Sequence, residues 1–110
     1  MILYNVTVNL ETSIHPEWLD WVQNHYLPKL MKTGAFSACK LCRLMDSPND
    51  GFTYSIQCLC DSMPALKRYQ EEHREQFNSM HANRFPDQFV SFESTMEIIE
   101  EYSVSNFSLN

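Results

Sequence analysis

The chain has 110 residues, of which 44% are hydrophobic, 13% aromatic and 20% charged, a composition that suits one globular domain with one core. Fourteen acidic residues against eight basic ones leave a formal charge of −6, the wrong sign for neutralising phosphates, so no nucleic-acid partner is expected. The longest apolar run, Met1 to Tyr4, is far short of the ~20 residues of a membrane span. It also lacks the basic region and cleavage site of a signal peptide. No membrane association is expected, and the chain is read as soluble and cytoplasmic.

The first segment, Ile2 to Leu10, alternates with Ile2, Tyr4, Val6, Val8 and Leu10 on one face, the pattern of a strand with one buried side. Thr12 and Ser13 turn the chain. Pro16 suits a first helical position behind His15 as cap, and Glu17 complements the positive helix end. Trp18, Leu19, Val22, Tyr26 and Leu30 then recur at helical spacing until Gly34 stops the helix. Pro28 lies inside this run and has no N–H to give the Asn24 carbonyl, so a kink or break is expected there.

Phe36 to Met45 and Phe52 to Cys60 read as two strands. The turn formers from Ser47 to Gly51 lie between them, ending in a hairpin-favouring Asp-Gly pair, so the strands should pair antiparallel. Asp61 or Ser62 caps a second helix, with Pro64 in its tolerant first turn. Its apolar stripe is Leu66, Tyr69, His73, Phe77 and Met80, and Phe85-Pro86 ends it. A last strand runs from about Gln88 to Glu100, with Val90, Phe92, Met96 and Ile98 sharing a face. Residues 1–102 are read as one domain and 103–110 as a polar tail.

Cys39, Cys42, Cys58 and Cys60 all fall within strands. With no secretory signal to suggest an oxidising compartment, they read as free packing thiols. Residues three apart on a strand point to opposite faces, so Cys39 and Cys42 are poorly placed to chelate one ion, and no metal is expected. The two glycines, Gly34 and Gly51, both serve turns, which removes the usual nucleotide cradle. No cofactor is expected.

Strand, helix, strand, strand, helix, strand is an α+β order. It predicts a ferredoxin-like fold, a four-stranded antiparallel sheet with two helices on one face. The other face mixes apolar residues with Asn5, Thr7, Ser55 and Gln57. Closing it against a second copy shelters both sheets, so a homodimer is expected.

The run from Met1 to Asn9, the Glu17, Trp18, Leu19, Trp21 group, His25 with Pro28, and Thr33, Gly34 with Phe36 resemble an uncharacterised bacterial family, a domain of unknown function. Asp61 to Met63 and Arg68 to His73 resemble that family's second helix. The likeness covers residues 1 to about 100. The family is similar in fold to the dimeric α/β-barrel superfamily, whose members include cofactor-free monooxygenases, polyketide cyclases, haem-degrading enzymes and non-catalytic relatives. The resemblance thus implies the fold and the dimer, while a shared fold is compatible with many functions.

The first helix holds the clearest candidate constellation. Trp21 and His25 are neighbours at i and i+4 beside the Trp18 stripe, and an imidazole bordering an aromatic wall is suited to acid or base work. His73, on the second stripe, is placed to hydrogen-bond Tyr4 or Tyr54, both directed toward the helices. His15 reads as a helix-start residue, and nothing distinguishes His81. The expected function is a homodimeric module that binds a small apolar or aromatic ligand through Tyr4, Trp18, Trp21, His25, Tyr54 and His73, or that serves as a structural unit. The alternative is a cofactor-free monooxygenase, isomerase or cyclase with His25 as catalytic acid or base.

Overall fold

The computed structural model describes residues 1–46 and 51–104. The expected turn from Ser47 to Asp50 and the end of the tail lie outside the described residues. The strands are β1 (Ile2–Leu10), β2 (Ala38–Arg43), β3 (Phe52–Cys60) and β4 (Phe89–Glu97). They form one sheet in the order β2-β3-β1-β4, antiparallel throughout. This is the ferredoxin-like topology, in which each β-α-β half contributes one central and one outer strand.

Alternation sorts the two faces. On β1, Ile2, Tyr4, Val8 and Leu10 are buried toward the helices, and β3 presents Tyr54, Ile56, Cys58 and Cys60 to the same side. The opposite face carries a polar ladder. Asn9 donates to Thr53 at 2.8 Å, Asn5 donates to Thr7 at 3.0 Å, and the Ser55 hydroxyl donates to Asn5. Val90, Phe92 and Met96 share this open face on β4, and the first two are 69% and 63% exposed. Ile98 lies past the end of the strand. The helix side of β4 carries Phe89, Ser91 and Glu93, opposite Leu10, Val8 and Val6.

The helical layer has two arms. The first comprises α1 (His15–Trp21), a π-helical turn (Val22–Tyr26) and α2 (Leu27–Lys32). The Leu27 N–H bonds to the Val22 carbonyl, five residues back instead of four. Pro28 supplies no N–H one position later, so the expected break takes the form of a π turn and the arm stays continuous. The helix begins at His15 with Ile14 as its cap residue, one position earlier than expected. Gly34 ends the arm with φ +75, the left-handed region that glycine enters at no steric cost.

The second arm comprises α3 (Met63–Glu72) and α4 (Arg74–Arg84), divided at His73. Ser62 is the cap, its hydroxyl accepting from the Ala65 N–H. His73 has φ −129 and ψ −29, a departure from helical geometry that divides the arm. The buried residues of α4 are Phe77 and His81, while Met80 is only partly buried. The expected stripe holds up to Phe77 and continues to His81 at i+4 in place of Met80 at i+3.

Trp18 is fully buried and packs on Tyr54 with ring centroids 4.9 Å apart. Burying an indole of roughly 200 Å² contributes about 5 kcal/mol at the usual area coefficient, the largest single-residue term available to this core. Cys39 and Cys58 are cross-strand partners on β2 and β3 with Cα atoms 4.1 Å apart, and they are joined as a disulfide. This corrects the expectation of four free thiols. Periodicity located each cysteine on its strand, but the pairing depends on the β2–β3 register, which the turn sets. Cys42 and Cys60 are free.

Candidate functional site

The two arms and the β4 edge enclose a cleft of about 590 Å³, lined by Val6, Tyr26, Arg74, Asn78, His81, Ala82, Phe89, Ser91, Phe92 and Glu93. Each wall has a local cause. The π turn ends at Tyr26, whose ring is buried edge-on against Phe77 at 5.6 Å. His81 follows Phe77 at i+4 on α4 and so shares its inward face. Strand alternation directs Glu93 to the helix side, where the Arg74 guanidinium meets its carboxylate at 2.9 Å.

His81 is buried and stacks on Phe89 at 3.8 Å with the planes 9° apart. Its Nε2 accepts the Trp18 indole N–H at 2.9 Å. Burial lowers the pKa of its ring to about 4. Above that pH the ring is neutral, with its proton on Nδ1 because Nε2 is an acceptor. The cleft therefore presents a neutral imidazole N–H beside an ion pair and aromatic faces.

Glu93 also gathers phenols. Burial raises the Tyr4 pKa, and the neighbouring Glu93 carboxylate raises it further by hydrogen bonding and by charge. Tyr26 is pushed up to about 12 by burial and then by Glu93. Tyr69 is raised by burial, then by Tyr26 and Glu93, with Arg74 opposing. All three are neutral hydroxyls at physiological pH. Among the described residues no group of three metal-ligating side chains converges.

The residues singled out from the sequence do not meet in one place. Trp18 is core, and Tyr54 is buried with its hydroxyl hydrogen-bonded to His15 Nε2 at 2.6 Å. His15 stacks on Phe52 at 3.6 Å, and burial lowers its pKa with Arg43 adding to the effect. The partner expected for His73 is thus taken by a different histidine. His73 itself sits between the two helices of the second arm, 3.8 Å from Glu72 and against Tyr69. His25 is exposed and lines a separate, shallow depression with Trp21, Lys29, Met80, Asn83 and Arg84. Trp21 covers the other side of His81 at 5.7 Å and meets Phe85 edge-on. Of the expected set, Tyr4 borders the Glu93 cluster.

Arg74, His81 and Glu93 were missed. His81 sits one position after Met80, and counted from Phe77 the two stand at i+4 and i+3, spacings that one helical stripe accepts alike. Glu93 lies among the polar residues of β4, where alternation with Phe92 and Val90 was the available signal.

A four-stranded antiparallel sheet under two helical arms, with a cleft between them, defines the ferredoxin-like class. Solved structures share it. HapK from Hahella chejuensis is 13% identical with a TM-score of 0.69, covering 94% of this chain and 98% of its own. A putative antibiotic biosynthesis monooxygenase from Deinococcus radiodurans is 12% identical with a TM-score of 0.69, over 94% and 98%. A dimeric ferredoxin-like protein from an uncultured marine organism is 12% identical with a TM-score of 0.70, over 92% and 97%. At such identities the likeness is one of fold. Among curated proteins none matches this chain significantly. The chain belongs to the family described as Domain of unknown function (DUF4286), which matches residues 1–99.

Proposed function

We propose that the chain is a homodimeric small-ligand-binding module of the dimeric α/β-barrel type, spanning residues 1–102 with a polar tail at 103–110, and that the ligand occupies the cleft between the helical arms and β4. The observation that carries this reading is the cleft itself: about 590 Å³, within the range of small-molecule sites, with aromatic walls and a few convergent polar groups. His81, Tyr26 and Arg74 with Glu93 are its polar contacts, and Tyr4 borders them.

The dimer is supported by the open face. Its polar ladder pairs with itself through Asn5, Thr7, Ser55, Asn9 and Thr53. A second copy therefore covers a ladder whose polar groups are already partly paired, while Val90, Phe92 and Met96 supply apolar contact. Dimerisation of a similarly folded protein from an uncultured marine organism agrees with this reading. The enzymatic alternative, with His25 as acid or base, is not favoured. His25 is exposed and outside the cleft, and the monooxygenase of this fold is a distant relative at 12% identity. We assign the chain to the bacterial cytoplasm, where cellular thiols act on the Cys39–Cys58 bond.

A thermal-shift screen of small molecules tests the reading, with Ala82→Trp as the cleft-filled control. Ala82 is exposed on α4 and lines the cleft, so the indole occupies ligand space without entering the core. Ligands that raise Tm in the native chain and lose the effect in Ala82→Trp are expected. A screen without hits, or hits indifferent to the substitution, overturns the proposal.

A further inference from the structure

We propose that Glu93 and the aromatic walls of the cleft form a receptor site for a protonated organic amine, with the Arg74 guanidinium as the cation that the amine displaces. This names the ligand class for the cleft and rests on the reading of that cleft as a binding site.

Four observations converge on it. The Glu93 carboxylate sits on the helix side of an edge strand, 24% exposed, and so is reachable from the cleft mouth without being fully solvated. It already holds a cation, the Arg74 guanidinium at 2.9 Å. Arg74 is weakly held otherwise. Its side chain is 43% exposed, so water already solvates much of the guanidinium and the ion pair is held weakly. The surrounding surface is aromatic. Tyr26 and Phe89 line the cleft, and ring faces attract a cation placed over them.

Overall charge supports the same sign, since a net charge of −6 draws cations and repels anions. An anion binding at Arg74 would have to approach the Glu93 carboxylate as well. An amine exchanges one charge-assisted contact for another and adds ring contacts that Arg74, at the cleft mouth, does not make.

The test uses three probes on one skeleton: phenethylamine, phenylacetate and 2-phenylethanol. Each is titrated to about 10 mM at low salt into the full chain, with amide chemical shifts as the readout. Phenethylamine is expected to move the resonances of Asn78, Ser91 and Glu93 and to bind about tenfold or more tightly than the alcohol, the usual effect of one charged hydrogen bond. Glu93→Gln, which keeps side-chain volume, removes that preference. Arg74→Met tightens amine binding about 1.5- to 5-fold, because the competing ion pair is partly exposed. That gain is an effect a merely structural Arg74 would not produce.

Alcohol or acid binding in the cleft as tightly as the amine overturns the amine proposal and leaves the binding cleft standing. An amine affinity unchanged in Glu93→Gln overturns it also. If no probe perturbs the cleft residues, both readings fail.

Discussion

Protonating His81 removes the acceptor on which the Trp18 indole N–H depends, and the cost should appear as pH-dependent unfolding. Burial lowers the folded-state pKa to about 4, whereas an unfolded histidine titrates near 6.5. Between these values the unfolded chain binds more protons than the folded one, so stability rises with pH across the window. The contribution is complete above about pH 6.5 and is lost as pH falls toward 4. The total is about 3 kcal/mol per chain, of which about 2 kcal/mol is gone by pH 5.

Carboxylates and other histidines titrate in the same range, so the informative quantity is a difference between two proteins. His81→Gln places an amide oxygen near the Trp18 N–H and cannot titrate. Urea unfolding of both chains at one protein concentration, from pH 7.5 to 4.5, isolates the effect. The native chain should lose about 2 kcal/mol more than His81→Gln between pH 7.5 and 5. Parallel profiles separated by a constant offset would refute the reasoning, because His81 would then titrate alike in both states.

His25→Ala should change stability by no more than about 0.5 kcal/mol in urea unfolding, as expected for an exposed side chain; a larger loss would place that ring in the packing. Ser62→Ala removes the acceptor of the Ala65 N–H and should cost about 1 kcal/mol by the same assay. Cys39 and Cys58 are 19 residues apart in sequence, so closing that loop restricts the unfolded chain by about 3 kcal/mol. A stability loss of that size on adding reductant, matched in the Cys39→Ala, Cys58→Ala double variant, is the expected result, with intact mass confirming the bond beforehand.

The fold was legible because its signals are local. Alternation in Ile2–Leu10 and Phe52–Cys60, the helical spacing through Leu30 and the Ser62 cap all act within a few residues, and the observed elements agree with them. Even the disturbance at Pro28 followed from a missing N–H, although its form as a π turn depends on how the whole arm packs. The cleft was less legible because its residues depend on relations between elements. His81 faces inward at i+4 from Phe77, but Met80 at i+3 suits the same helical stripe, so only packing against the neighbouring elements decides between them. Glu93 acquires its role from register, since pairing opposite Val6 brings it to the helix side and within reach of Arg74. The histidine chosen from sequence, His25, has the helical neighbour it was expected to have in Trp21, but Trp21 packs against the core while His25 is exposed over a shallow surface. The disulfide follows the same rule, because one residue of slippage between β2 and β3 would put Cys39 and Cys58 on opposite faces.

Native mass spectrometry of the purified full chain at micromolar concentration tests the central claim of a dimeric binding module most directly. The account predicts a species of twice the chain mass, held together by the face that carries Val90, Phe92 and Met96. A chain that remains monomeric throughout the micromolar range would contradict it.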